Sequence, residues 1–198
     1  MKKKLDSAVK LKSFFVNFLS LSRIFCALVI GILTYFFANS NSQNFSLFFA
    51  AFAIFICASL TDWLDGFLAR KWKVVTDFGQ VFDPITDKVL TTTTFFCLAF
   101  LKLTPWFLVS IFILRDIIVD GLRIFLAKRN IKIAANFWGK AKTVAQILAI
   151  TLIFASYSID PKIFLDHYYY FNISVIIAAI LSLFSGLTYL IPTLKLIF

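Results

Sequence analysis

The sequence predicts an all-α polytopic membrane protein, with six transmembrane helices preceded by an N-terminal interfacial amphipathic helix. Three observations carry that expectation. Of the 198 residues, 61% are hydrophobic and the mean hydropathy is +0.89, which leaves too little polar surface for a water-soluble domain of this length. A bilayer crossing takes roughly 20 apolar residues, and the chain divides into six apolar runs of about that length with little between them. Basic residues gather on alternate sides of those runs. Lys2, Lys3, Lys4, Lys10 and Lys12 precede the first run; Arg70, Lys71 and Lys73 follow the second; Lys128, Arg129, Lys132, Lys140 and Lys142 surround the fourth-to-fifth connection, while the opposite loops hold little beyond Lys102 and Lys162. This is the positive-inside pattern, and it puts the N-terminus in the cytoplasm.

The first element, within residues 1–20, mixes lysines with Leu5, Val9, Leu11, Phe14, Phe15 and Phe18, as an interfacial helix does. A cleavable signal peptide is the competing reading, helped by small residues near Ala38 and Ser40. Arg23 interrupts the apolar run near its start and five further runs follow, so an uncleaved anchor is expected. The six spans are expected at about 21–39, 45–67, 83–103, 106–127, 138–158 and 171–196, forming one domain over 21–198. An even count returns the C-terminus to the cytoplasm. Trp63, Trp72, Trp106 and Trp138 fall near span ends, where aromatic belts sit. Pro105 and Pro161 mark external turns. Gly79 permits a tight turn before Asp83, which would cap the third span, with Pro84 at its first position.

The net charge of +10 suits either nucleic acid or anionic lipid. Short clusters flanking membrane spans favour lipid, and nucleic acid is not expected as a partner. Cys26, Cys57 and Cys97 each lie inside an apolar run without ligand spacing, so neither a disulfide framework nor a zinc site is implied. His167 is the only histidine and no glutamate is present. Acid–base or metal chemistry must come from the ten aspartates or from water.

Four of these aspartates bracket one cytoplasmic loop. An acid in a spanning helix costs roughly 2.5–3.5 kcal/mol at the bilayer centre, so acids at the membrane are functional candidates. Asp62 and Asp65 end the second span three residues apart, and Asp83 and Asp87 open the third span four apart, so each pair shares a helical face. Two antiparallel helices can aim all four carboxylates at one volume, where they would repel strongly unless divalent cations intervene. Gly66 and Ala69 continue the stripe of Asp62 and Asp65, allowing a bulky polar ligand or another helix close to the backbone. Arg70 follows at the cytoplasmic mouth, suited to a phosphate or a carboxylate. All-oxygen ligation points to hard cations, Mg²⁺ or Mn²⁺. A pair of them about 3.5–4 Å apart is suited to in-line phosphoryl chemistry. The plain alternative is a set of helix-end acids paired with Arg70, Lys71, Lys73 and Lys88.

Asp62-x-x-Asp65-Gly66-x-x-Ala69-Arg70, eight residues, then Gly79-x-x-x-Asp83-x-x-x-Asp87 resembles the signature of the CDP-alcohol phosphotransferase family at all eight defining positions. The resemblance implies six spanning helices, a homodimer, and two divalent cations held by Asp62, Asp65, Asp83 and Asp87. It further implies Asp87 as the catalytic base, and CDP bound along Asp62, Gly66, Ala69 and Arg70 near Gly79.

The acceptor alcohol must be read elsewhere. In the fourth span, Asp116, Asp120 and Arg123 share a face, while Arg115 lies about two turns from the cytoplasmic end. A guanidinium at that depth needs a carboxylate neighbour or an anionic ligand; a salt bridge to Asp116 or Asp120 and a bound phosphate both satisfy it. Gly139, Lys140 and Lys142 open the fifth span, where free N–H groups and the helix dipole add to the lysine charge. Ordinary flanking lysines are the alternative. Taken with Arg115, they favour a phosphate-bearing acceptor, held by Arg115, Lys140 and Lys142, with Arg123 a weaker candidate.

Three segments, Thr61–Arg70, Leu114–Arg123 and Trp138–Gln146, most resemble the branch of the family that transfers a phosphatidyl group from CDP-diacylglycerol to sn-glycerol 3-phosphate. Asn17–Arg23 is similar to that branch's opening but lacks its usual proline, and Asp116 stands where bacterial members typically carry glutamate. Within the family, phosphatidylglycerol, inositol phosphate or serine are rival acceptors. From other classes, a divalent-cation transporter would leave the spacing of Gly66, Ala69 and Arg70 unexplained, and a purely structural membrane protein would leave lipid synthesis unchanged in an Asp87→Asn variant.

Overall fold

Seven helices and the turns between them account for residues 2–40, 43–72, 77–129 and 137–197, which are the residues described in the computed structural model; side chains are described throughout these except at 2–14, 16, 63, 65–72, 77–84, 127–128 and 194–197. The helices are α1 (Lys2–Asn39), α2 (Phe45–Trp72), α3 (Asp77–Phe100), α4 (Trp106–Lys128), α5 (Phe137–Ile159), α6 (Pro161–Asp166) and α7 (Tyr168–Ile197). No strand occurs among the described residues. Apolar stretches long enough to cross a membrane run through Asn17–Asn39, Phe45–Asp62, Phe137–Ile159 and Tyr168–Thr193, so the chain is an integral membrane protein. Such stretches need backbone hydrogen bonds satisfied internally, which a helix does. α4 misses that apolar condition because Arg115, Asp116, Asp120 and Arg123 fall within it.

The chain forms two compact units, Met1–Cys97 and Leu98–Phe198. In the first, α1 and α2 pack along their length. No proline precedes Pro84 and no glycine precedes Gly31, so nothing separates the expected interfacial segment from the first span, and the two are one continuous helix. Among the described residues, those buried on α1 are Ser20, Arg23, Ala27, Ile30, Thr34 and Phe37, and those on α2 are Phe48, Ala51, Phe55 and Ala58. Both sets alternate steps of three and four, the spacing of a knobs-into-holes seam. The alanines let the backbones approach, which is how helices associate where lipid is as apolar as the side chains. Phe37 seals the turn end, with ring centroids 5.7 Å from Phe45 and 5.1 Å from Phe48. On α3, Cys97 is hydrogen-bonded to the side chain of Thr34.

α3 begins at Asp77, earlier than the sequence suggested. Gly79, Asp83 and Pro84 therefore lie within a helix, and the expected turn at Gly79 and cap at Asp83 are corrected. Asp77 is itself a residue type that favours helix starts, and the helix runs on through Pro84. At the other end, Lys102 (φ 59°) closes α3. Lys102 N–H donates to Ala99 O and Leu103 N–H to Leu98 O, both at 2.9 Å, the paired bonds of a Schellman cap.

In the second unit, α7 packs against both α4 and α5. α5 turns Lys142, Gln146, Ala149, Ile150, Ile153, Phe154 and Tyr157 inward. Asn172 on α7 donates to Leu103 O at 3.1 Å, which ties the turn before α4 to α7. Asp160 caps α6 through Lys162 N–H at 2.8 Å and Ile163 N–H at 3.1 Å, ahead of Pro161 at the first position. Phe164 fills the space beneath, stacked on Phe171 at 5.2 Å and edge-on to Tyr157 at 5.6 Å.

Candidate functional site

The four signature aspartates all belong to the first unit. Asp62 and Asp65 lie near the end of α2, and Asp83 and Asp87 in the first half of α3. Gly66, Ala69 and Arg70 follow on α2, and Gly79 lies on α3. Of these eight, the side chains of Asp62 and Asp87 are described; those of Asp65, Gly66, Ala69, Arg70, Gly79 and Asp83 fall outside the described residues.

Asp62 is held by a contact that the sequence did not disclose. Arg23 Nη1 on α1 donates to Asp62 Oδ1, with the Arg23 side chain 0% and the Asp62 side chain 37% exposed. The helical register explains the meeting. Phe37 and Phe48 face one another near the turn, and fourteen residues further from the turn on each helix stand Arg23 and Asp62. Fourteen residues is two full heptads of the seam, so both side chains return to the same face. A guanidinium there is tolerable because a carboxylate meets it. The partner for Asp62 is thus Arg23 on α1, from outside the basic cluster of Arg70, Lys71 and Lys73. In the sequence Arg23 had shown as an interruption of an apolar run and as the end of the Asn17–Arg23 segment, with nothing to mark it as the partner of Asp62.

Among the described residues, no three histidine, cysteine or aspartate side chains group closely enough to hold a metal ion. The described members of the aspartate set nevertheless suit a hard cation. Their donors are all oxygen, and both Asp62 and Asp87 are at intermediate exposure. Asp87 sits one turn before Thr91, whose hydroxyl donates to Asp87 O at 3.0 Å.

The four candidate acceptor-phosphate residues belong to the second unit, and three of them sit in one polar seam. Asp116 Oδ1 accepts from Arg115 Nη1 at 2.8 Å and from Lys142 Nζ at 2.6 Å, and Oδ2 accepts from Lys142 Nζ at 2.7 Å. Asp116 is 9% exposed and Lys142 4%. Arg115 turns its other donors to α7, with Nε donating to Ser182 O at 3.2 Å and Nη2 to Ser185 Oγ at 2.6 Å. The salt bridge weighed for Arg115 is therefore present, and Lys142 shares the same carboxylate. Arg123 Nη2 donates to Tyr189 Oη at 3.0 Å, with the guanidinium carbon 4.8 Å from that ring's centroid. Lys140 is exposed on the first turn of α5.

The side of this seam supplied by α7 was not foreseen. Ser182, Ser185, Gly186 and Tyr189 recur at steps of three, one and three, one helical face, and Ser182, Ser185 and Tyr189 are buried. A Cβ at Gly186 would lie 3.2 Å from Arg115 Cγ, and one at Gly139 would lie 3.5 Å from Tyr189 Oη. The signal existed in the sequence as a polar and small-residue stripe within an otherwise apolar span.

A family model for CDP-alcohol phosphatidyltransferases matches residues 14–187. Curated relatives bear the name CDP-diacylglycerol–glycerol-3-phosphate 3-phosphatidyltransferase. The one from Mycoplasma genitalium is 39% identical over 146 residues, 68% of this chain and 61% of the relative. That from Bacillus subtilis is 45% identical over 98 residues, 50% of this chain and 51% of the relative. That from Rickettsia felis is 32% identical over 173 residues, 87% and 91% of the two. The matched stretch thus spans less than two thirds of the Mycoplasma and Bacillus proteins.

Proposed function

We propose, for a chain that belongs to the CDP-alcohol phosphatidyltransferase family, transfer of the phosphatidyl group of CDP-diacylglycerol to sn-glycerol 3-phosphate. The products are phosphatidylglycerol phosphate and CMP, the phosphatidylglycerophosphate synthase reaction of phospholipid biosynthesis. The observation that carries the acceptor is the Arg115–Asp116–Lys142 cluster, in which two cations share one carboxylate. That surplus of positive charge suits a phosphate, and the relatives named above support the same acceptor.

In this reading Asp62, Asp65, Asp83 and Asp87 hold two divalent cations, Mg²⁺ or Mn²⁺, which would supply charge neutralisation at the diphosphate. Asp62, Gly66, Ala69, Arg70 and Gly79 line the CDP moiety. Arg115, Lys140, Lys142 and Arg123 hold the acceptor phosphate and so orient its free hydroxyl. Asp87 takes the hydroxyl proton as the oxygen attacks the phosphorus bearing diacylglycerol. The P–O bond to CMP breaks, and CMP leaves with the electron pair. Arg23 orients the Asp62 carboxylate through its Nη1 donor.

The proposal extends to architecture. α3 and α4, at 24 and 23 residues, are about 36 and 35 Å long at 1.5 Å per residue, enough for a hydrocarbon core of about 30 Å. With the four apolar helices they complete six spans over 21–198, preceded by an interfacial segment in 1–20. The termini and the site face the cytoplasm of a bacterial membrane, and the chain works as a homodimer among membrane lipids. The test is direct. Purified protein with CDP-diacylglycerol and radiolabelled glycerol 3-phosphate should yield labelled lipid and CMP, and a chelator should abolish both. No labelled lipid with metal present refutes the acceptor assignment; CMP release with phosphatidylglycerol instead moves the chain to another branch.

A further inference from the structure

A carboxylate touching two cations either neutralises them or holds them in place, and the surroundings of Asp116 separate the two roles. Asp116 grips Lys142 Nζ with both oxygens, at 2.6 and 2.7 Å, and Arg115 Nη1 with one, at 2.8 Å. Because both cations bind Oδ1, they can be no further apart than those two bonds laid end to end, a span that one phosphate can bridge. Arg115 is fixed a second time by α7, through Ser182 O and Ser185 Oγ. Its stem runs in a slot made by Gly186, where a Cβ would lie 3.2 Å from Arg115 Cγ and 3.6 Å from Nε. Neutralisation alone requires neither the two-oxygen grip nor the slot. Of five guanidinium donors, the named bonds use three and leave two for a ligand.

We propose that Asp116 is a positioning residue that yokes Arg115 of α4 and Lys142 of α5 into one fork for the acceptor's phosphate, with the Ser185–Gly186 face of α7 as its backstop. This rests on the reading of Arg115 and Lys142 as acceptor-phosphate ligands. Asp116 itself, an anion, does not touch the phosphate. It sets the spacing of the two groups that do.

The experiment measures CMP release by the full chain in lipid nanodiscs, varying glycerol 3-phosphate and CDP-diacylglycerol separately, for wild type, Asp116→Asn, Asp116→Glu and Gly186→Ala. Asp116→Asn keeps the shape but replaces one acceptor oxygen by a donor, so the fork opens. Its KM for glycerol 3-phosphate should rise at least about tenfold, the low end for misplacing a charged hydrogen bond, while the KM for CDP-diacylglycerol and the kcat at saturation stay close to wild type. Asp116→Glu restores the charge and should recover part of the loss, which a packing role would not predict. A folded Asp116→Asn protein with unchanged KM for glycerol 3-phosphate overturns the proposal. So does a lowered KM, which would make the carboxylate a competitor of the phosphate. If Asp116→Asn does not fold, Gly186→Ala decides, since its Cβ displaces the Arg115 stem without altering charge: a raised KM for glycerol 3-phosphate alone supports the yoke, and an unchanged KM overturns it. Wild type inactive with glycerol 3-phosphate refutes the functional reading and takes the proposal with it; wild type active with insensitive variants refutes the yoke alone.

Discussion

Replacing Arg115 by methionine tests the acceptor site with the least collateral damage, and the structure gives the reason. Asp116 would lose its 2.8 Å bond to Arg115 but keep both bonds to Lys142, so no buried carboxylate is left alone, the outcome that makes broken ion pairs costly. What disappears is one charged bond to Asp116, one to the Ser185 hydroxyl and one to the Ser182 carbonyl. Bonds to charged groups contribute about 1.5–3 kcal/mol each before compensation. The methionine stem keeps most of the packing against Gly186, and the carbonyl still has its helical partner. A net loss of about 2 kcal/mol follows, or about 4–8 °C in Tm for a chain of this size. The effect on function should be larger than the effect on stability. A phosphate losing one of two forked cations should bind about 30-fold or more weakly, at about 1.4 kcal/mol per tenfold. The assay is CMP release against glycerol 3-phosphate concentration in nanodiscs, with Tm read in the same preparation. A variant that loses stability but keeps its KM for glycerol 3-phosphate would show Arg115 to be a strut between α4 and α7, and the acceptor would have to be held elsewhere.

Further outcomes follow from the same geometry. Asp87→Asn should lower kcat by about 10²–10⁴-fold, the usual contribution of a positioned base, with both substrates still binding; near-normal CMP release would remove Asp87 from the mechanism. Chelation should abolish transfer, and Mg²⁺ or Mn²⁺ should restore it where Zn²⁺ does not, because the donors are carboxylate oxygens; full activity in chelator would refute the cation reading. Phe164→Ala should cost about 3–5 kcal/mol, as for other buried aromatics, since its ring is 0% exposed and stacked on Phe171. Tyr157, its neighbour on α5, lies fifteen residues from Lys142, about 22 Å at 1.5 Å per residue, so both KM values should stay unchanged; a selective rise in either would show that the α6 region reaches the site.

What the sequence disclosed divides along a physical line. Helical class, most of the helix positions and the aspartate signature are local or periodic properties, and they could be read directly. Partner choice across the bundle is not local. Arg23 and Asp62 stand thirty-nine residues apart, and nothing marks them as a pair until the α1–α2 register is known. Arg115 and Lys142 drew notice as cations near the membrane, yet their common attachment to Asp116 depends on how α4 and α5 each pack against α7. Ser182, Ser185 and Gly186 do not stand out within the sixth span, because Ser and Gly also serve plain helix packing in membranes, and Tyr189 is one aromatic among many apolar neighbours. The start of α3 was misplaced for a different reason. Pro84 is most at home in a first helical turn, so the sequence favoured a start beside it, whereas the helix begins at Asp77 and continues through it.

The seam of α1 and α2 explains why acidic groups can sit on these helices at all. Phe48, Ala51, Phe55 and Ala58 form the buried stripe of α2, and the same alternation of four and three, continued along the sequence, falls on 62, 65 and 69. Asp62, the described acid on that line, therefore stands on the packing stripe beside Arg23 and not on the face turned to lipid, where an acid would cost most. α1 answers in kind: its stripe of Phe37, Thr34, Ile30 and Ala27 becomes polar at Arg23 and Ser20, opposite the point where α2 turns acidic. One seam thus changes from apolar to charged along its length, and the Arg23–Asp62 pair marks the transition. A hydrophobic exchange of Arg23 alone should consequently impair transfer more than packing, because Asp62 remains partly open to solvent but loses the group that orients it. Arg23→Met with a near-normal Tm and sharply reduced CMP release is the expected result. Undiminished release would mean that Asp62 needs no partner from α1, and that the polar end of the seam is a structural convenience.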